Sequence, residues 1–219
     1  LGTIASITVH QTTIAARRAE ELLTETALHV ARTDLAAEPP VPDPVALPAL
    51  PEARSRRAQI LAAAVPLFQV HGFSAVTISQ IAAEVGVAPS AIYRHYPGKV
   101  DILTEACLQA AGLLQRAVTD ALAATTTPLE AIEAVAATFV AYSFEQTALT
   151  SVAEAEIVGL PESMRRRLAQ AQRDHLALWE ERVLALRPEL DARQARVVVH
   201  AGLGVVVETG RLLRWSASA

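Results

Sequence analysis

Apolar positions recur three and four residues apart along most of the chain, the period of helices packed by one face. No stretch holds the strict alternation of a half-buried strand, so the pattern predicts an all-α protein. A first amphipathic segment spans 12–35, with Ala15, Ala19, Leu22 and Thr26 on one line and Leu23, Ala27 and Val30 beside it. Six prolines then fall between Pro39 and Pro51, which reads as a semi-extended linker poor in backbone donors. A helix over 52–71 follows, with Ile60, Leu61, Ala64, Leu67 and Phe68 facing inward and His71-Gly72 as its stop. Pro66 lies inside it and should bend it. Thr77 is placed to cap a helix to Val85, whose inner face is Ile78, Ile81, Ala82 and Val85. Gly86 ends that helix, Pro89-Ser90 opens a short one reaching about Tyr96, and Pro97-Gly98 breaks the chain before a long helix from Lys99 to about Thr125. Further helices are predicted near 128–147, 149–158, 161–187 and 191–215, with Pro128, Pro161 and Pro188 at their edges. Asp191 with Gln194 has the form of a capping box.

Composition narrows the class. The chain has 219 residues, 52% of them hydrophobic, which is enough for a sizeable core and one or two domains. A single cysteine, Cys107, rules out an internal disulfide and fits a reducing compartment; it reads as a small buried hydrophobe. Nothing resembles a signal peptide, and the most apolar run, 197–207, is interrupted by His200 and is too short to span a bilayer. A soluble cytoplasmic protein without a membrane partner is expected.

The net charge of −4 argues against nucleic acid until it is resolved by region. Between Arg54 and Lys99 stand five basic residues and one acid, Glu84, so this module carries +4 and the remainder −8. A basic module on an acidic body is expected where only one part meets phosphates. The basic module also holds a helix, a tight turn through glycine and a short helix, the sequence form of a helix-turn-helix. Its second helix is the one that enters a major groove. Ala88, Pro89, Ser90 and Ala91 are small enough to bring backbone close to base edges, while Tyr93, Arg94, His95 and Tyr96 can reach phosphates, sugars and thymine methyls. Thr77 and Lys99, each opening a helix, suit phosphate contacts, and Ser79 is a further candidate. For Tyr96 the alternative is structural, closing the helix against the core.

With these residues in view, 56–103 resembles the DNA-binding domain of TetR-family regulators. The resemblance rests on Ala63-Ala64, Leu67-Phe68, His71-Gly72-Phe73, Thr77-Ile78, Ile81-Ala82, Val85-Gly86-Val87, Ile92-Tyr93-Arg94-His95-Tyr96 and Lys99, all in order and at the right spacing. It implies that Thr77, Ser79, Ser90, Ala91, Tyr93, His95 and Lys99 fall on DNA-contacting positions. It also implies a three-helix DNA-binding domain followed by a larger helical domain that binds a small ligand and dimerises through its last two long helices. The chain would then divide into an extension at 1–51, a DNA-binding domain at 52–114 and an effector-binding and dimerisation domain at 115–219. Two features depart from the family: Pro66 within the first helix, and the long extension. That extension is equally readable as a docking helix, a disordered arm or sequence upstream of the true start.

The C-terminal region suits a buried, self-associating role. Val197, Val198, Leu203, Val205, Val206 and Val207 surround Gly202 and Gly204 on a helix apolar nearly all round. A weaker likeness over 152–183, to regulators tied to lipid or acyl-CoA metabolism, ranks such molecules first as effectors. Tyr142, Glu145, Gln146, His175 and Trp179 are candidate effector contacts, against the plainer reading of satisfied core residues. Arg165, Arg166 and Arg167 read as an exposed helix face before they read as a clamp for an anionic head-group. Enzyme signatures are missing: no Gly-rich phosphate loop, His-Glu-x-x-His, paired cysteines, Gly-x-Ser-x-Gly or Glu-x-x-His is present. No cofactor or metal is expected. The functional expectation is a homodimeric transcriptional regulator, most often a repressor, bound to a palindromic double-stranded operator and released by a small-molecule effector. The alternative from another class is a helical interaction module that has lost DNA binding.

Overall fold

The computed structural model of the chain describes residues 15–32, 45, 47–49, 52–146 and 161–212. Eight helices and no strand occur among them, so the fold is all-α as expected: α1 (Ala16–Arg32), α2 (Arg56–His71), α3 (Ile78–Val85), α4 (Pro89–Ile92), α5 (Lys99–Ala123), α6 (Pro128–Glu145), α7 (Glu162–Leu186) and α8 (Ala192–Leu212). The helix expected near 149–158 and most of the proline-rich linker lie outside the described residues. No helix among the described residues is long and apolar enough to cross a membrane.

The chain forms two compact units. One takes in Pro48–Ala117 and Glu145–Arg173, the other Leu1–Leu47, Val118–Phe144 and Asp174–Ala219.

In the first unit α2 is set by Ser55, whose side chain accepts from the Ala58 N–H, so the helix begins three to four residues later than the hydrophobic period alone suggests. Ile60, Leu61, Ala64, Val65 and Phe68 are buried on its inner face. The helix runs through Pro66 without interruption. The physical reason is placement: Pro66 is exposed, and Ala62, whose carbonyl loses its usual donor, is exposed too and can turn to water. Phe68 and Phe73 meet edge to face at 5.3 Å across the α2–α3 corner. Thr77 closes a capping box on α3: its hydroxyl accepts from Gln80 N–H at 3.2 Å, and Gln80 Oε1 accepts from Thr77 N–H at 2.8 Å. Ile81 and Ile92 are fully buried, and each contributes about 1.5–3 kcal/mol by leaving water. Cys107 is buried in the same core, where desolvation pushes its thiol up to about 11 and keeps it protonated at neutral pH.

In the second unit the capping box expected at Asp191 is present. Asp191 Oδ1 accepts from Gln194 N–H at 2.9 Å, and Gln194 Oε1 accepts from Asp191 N–H at 3.1 Å. Arg196 on α8 makes a bidentate pair with Glu180 on α7, at 2.7 and 3.1 Å. Within the extension, 16–32 is a docked helix: α1 packs on α8, buries Leu22, and sets Glu25 3.8 Å from Arg187. Residues 1–14 lie outside the described residues.

The turn between α3 and α4 depends on one backbone conformation. Gly86 has φ 69° and ψ 39°, in the left-handed region, while Val87 N–H reaches back to Ala82 O at 3.0 Å. A side chain at Gly86 would meet nothing within 4 Å, so a substitution is penalised through the backbone alone. Gly86→Val is therefore expected to lower unfolding free energy by about 1–2 kcal/mol in urea titrations, and Gly86→Asn by less.

Candidate functional site

The recognition element is smaller than the sequence pattern suggests. Helix α4 is four residues, Pro89–Ile92, extended by a turn in which His95 N–H and Tyr96 N–H both donate to Ile92 O, at 2.9 and 3.0 Å. Along it Ala88, Pro89, Ser90, Tyr93 and Arg94 are exposed, and Ala91 and His95 are half-buried. Thr77 and Ser79, at the start of α3, are exposed as well. Tyr93 keeps 56% of its surface in solvent, an unusual position for a tyrosine without a partner surface. One unit thus brings these nine sequence-predicted residues together on the helix-turn-helix.

Two expected contacts are placed differently. The Tyr96 side chain is fully buried and its hydroxyl donates to Arg57 O at 3.2 Å. The Arg57 guanidinium lies 4.1 Å over the Tyr96 ring, donates to His95 O and pairs with Glu105 at 3.2 Å. Desolvation raises the Tyr96 phenol above its ordinary value, so it remains a neutral donor. Tyr96 therefore closes the recognition turn against the core, the structural alternative that the sequence left open. Lys99 donates to three carbonyls: Phe73 O, Val76 O at 2.6 Å and Ser74 O at 3.3 Å. An ammonium has three N–H donors, and here all three are turned toward the loop that delivers Thr77. Phe73 adds its ring face 4.4 Å away. Sequence reasoning missed this lock because the partners are backbone oxygens, which no residue type announces.

The charge of the basic module is likewise partly committed inward. Arg56 donates to Val85 O at 3.4 Å, Arg57 and Lys99 are held as described, and Arg54 pairs with Glu52 at 2.7 Å. Arg94 is the exposed cation of the recognition turn, and it makes no ion pair among the described residues.

Of the candidate effector contacts, Tyr142 and Glu145 lie one turn apart on α6, Gln146 follows that helix directly, and His175 and Trp179 lie on α7. Tyr142, His175 and Trp179 belong to one unit, and Glu145 and Gln146 to the other. Tyr142 and Trp179 are buried. His175 stacks on Phe139 at 6.0 Å and 28°, with Trp179 edge-on to both rings at 6.0 and 6.2 Å. Burial pushes the His175 imidazolium down to about 4, so the ring is neutral at pH 7. Phe139 belongs to this cluster and was missed; it sits three residues before Tyr142 on the same helix, a spacing that could have found it. Glu145 is exposed and Gln146 half-buried. Arg165, Arg166 and Arg167 are exposed, with Arg166 3.4 Å from Glu162, as the exposed-face reading expects.

Comparison with known proteins agrees with this geometry. The family model for bacterial regulatory proteins of the tetR family matches residues 60–106. The chain is 29% identical over 171 residues to the HTH-type transcriptional regulator LmrA of Bacillus subtilis, covering 74% of this chain and 87% of that one. It is similar in fold to a TetR-family transcriptional regulator from Bordetella parapertussis, with a TM-score of 0.66, 20% identity, and coverage of 76% of this chain and 86% of the other. It is also similar in fold to AibR, solved with isovaleryl coenzyme A and operator DNA, with a TM-score of 0.64, 17% identity, and coverage of 72% and 86%.

The placement of Lys99 gives a test. Lys99→Met should lower operator affinity by loosening the Phe73–Thr77 loop, yet leave the slope of log affinity against log salt unchanged. A lysine that touched a phosphate would take about one unit of slope with it. Filter-binding isotherms across a salt series separate the two outcomes.

Proposed function

We propose, on the premise that this chain is a TetR-family transcriptional regulator, that it is a homodimeric repressor acting in the cytoplasm and relieved by a small-molecule effector. The observation that carries the DNA-binding half is the exposed set on one helix-turn-helix: Thr77, Ser79, Ala88, Pro89, Ser90, Tyr93 and Arg94, flanked by Ala91 and His95. In this reading Pro89–Ile92 lies in the major groove with its small residues against base edges. Thr77, Tyr93 and Arg94 fix the register on phosphates. Tyr96 and Lys99 hold that surface in shape from within. Residues 52–114 form the DNA-binding domain in this reading, and 115–219 the effector-binding and dimerisation domain.

Dimerisation is supported by α8. Val198, Gly202, Val205, Thr209 and Leu212 recur at spacings of four and three, and Gly202, Val205, Thr209 and Leu212 are exposed. A side chain added at Gly202 would meet nothing within 4 Å, so a second helix can approach closely there. A two-fold dimer reads a near-palindromic operator with recognition elements about 34–36 Å apart.

Release follows if the effector prefers a different separation of those elements. Helix α5 is the natural transmitter, because it begins at Lys99 beside the recognition turn and passes from one compact unit to the other at 117/118. A complete switch requires a differential affinity of about 5.5 kcal/mol between the two states. Lipid- or acyl-CoA-derived molecules rank first as effectors, on the likeness over 152–183 and on AibR, whose structure holds isovaleryl coenzyme A.

Selection of fragments from sheared DNA of the source genome tests the reading. Purified protein is expected to enrich a palindromic site next to an operon. A folded dimer that enriches nothing at low salt would overturn it in favour of an interaction module. Val205→Arg is expected to convert the dimer to a folded monomer in sedimentation, with unchanged helix content and operator affinity reduced by at least about tenfold, since each half-site then binds alone.

A further inference from the structure

His175 carries a buried polar atom that the fold leaves unanswered. Trp179 Nε1–H donates to His175 Nε2 at 3.1 Å, so that nitrogen must present a lone pair. The neutral ring therefore keeps its proton on Nδ1. That Nδ1 is buried and has no hydrogen-bond partner. A buried N–H without an acceptor is destabilising, and native proteins answer nearly all such groups. The surroundings say what the missing acceptor resembles. Phe139 stacks on the imidazole, Trp179 stands edge-on, and Thr138 and Tyr142 are buried beside Phe139 on α6. The nearby acid on α7, Glu180, is committed to Arg196. Desolvation already keeps the imidazole neutral, and the same surroundings disfavour an ionised head-group, whereas a carbonyl oxygen carried on an apolar body would satisfy the N–H and the rings together.

We propose that His175 is the effector anchor: its Nδ1–H donates to the carbonyl oxygen of an uncharged, largely apolar effector held against Phe139 and Trp179. A ketone, ester or thioester meets that description, and a free carboxylate does not. This rests on the effector-response reading above, adds to it the contacting atom, and narrows the effector class to uncharged lipid-derived molecules, setting aside free fatty acids and intact acyl-CoA. Trp179 is the positioning residue, because its indole N–H selects the tautomer that leaves the donor facing the ligand.

The test uses the full chain. Long-range proton–nitrogen NMR of 15N-histidine protein, with His175 assigned through His175→Phe, should find the Nδ1–H tautomer and no titration between about pH 5 and 8. Three probes of equal chain length, decan-2-one, decane and decanoate, are then titrated against tryptophan fluorescence and the Nδ1 resonance. Decan-2-one is expected to shift that resonance and to bind more tightly than decanoate. His175→Phe should weaken decan-2-one by about tenfold or more, one lost hydrogen bond to a buried carbonyl, and leave decane unchanged. If His175→Phe does not fold, Trp179→Phe takes its place and should shift the tautomer population and weaken the ketone. The proposal is overturned by an Nε2–H tautomer or by a ring that titrates near its ordinary value. Binding of none of the probes, equal ketone binding in the variants, or an Nδ1 resonance that the ketone leaves unmoved would also overturn it. A shifted resonance with no release of operator DNA would sink the effector-response reading and spare the anchor.

Discussion

A helix of four residues cannot sustain itself. Its single turn fixes several backbone angles for one or two hydrogen bonds, far short of the length at which isolated helices persist. Everything the recognition element does depends on its being held from outside. Ile92 and Tyr96, both fully buried, are the two anchors, four residues apart and therefore on one face. They fasten the turn to the core so that Ser90, Tyr93 and Arg94 face away from it. Arg57 completes the fastening: it covers the Tyr96 ring, takes the tyrosine hydroxyl on its carbonyl and grips His95 O. One residue on α2 thus holds His95 by its side chain and Tyr96 by its carbonyl, 38 and 39 residues further along the chain.

The same economy governs the cations. Part of the basic module's hydrogen-bonding capacity serves the fold, because Arg57 and Lys99 donate to backbone oxygens. On the recognition turn itself, what faces outward is mostly phenol, hydroxyl and small side chains, with Arg94 as its exposed cation. Lys99 is the chain's only lysine, and it does work that a bidentate guanidinium would do poorly, since its compact ammonium fits among three carbonyls of one loop.

Period and punctuation carried much of this into the sequence. The faces of α2 and α3, the cap at Thr77, the break at Gly86 and the box at Asp191 all follow from local rules, and the partners involved are at most four residues apart. Thr77-x-x-Gln80 was legible as a full box too, although only Thr77 was read. What local rules missed is set by distant partners. Tyr96 has the same neighbours in sequence whether it meets DNA or the core, and Arg57 decides it. Pro66 is tolerated because its ring and the carbonyl it deprives face solvent, which depends on rotation about the helix axis rather than on residue type. The association of 145–173 with the helix-turn-helix is a matter of topology that periodicity does not encode.

The two halves of the molecule solve opposite electrostatic problems. Around the recognition turn, Arg57 and Lys99 are answered by carbonyls and a carboxylate, and Arg94 is left to water. Around His175 no such answer exists, and the ring meets the demand by discarding its proton: desolvation holds it neutral, and the indole N–H of Trp179 dictates which nitrogen keeps the remaining hydrogen. A neutral donor in an aromatic wall discriminates by geometry and acceptor type, not by charge. Discrimination of that kind can be steep, because an apolar molecule lacking the acceptor leaves the buried N–H as unsatisfied as before. Selectivity at this site would therefore come from the cost of an unanswered buried N–H, which only the right oxygen removes.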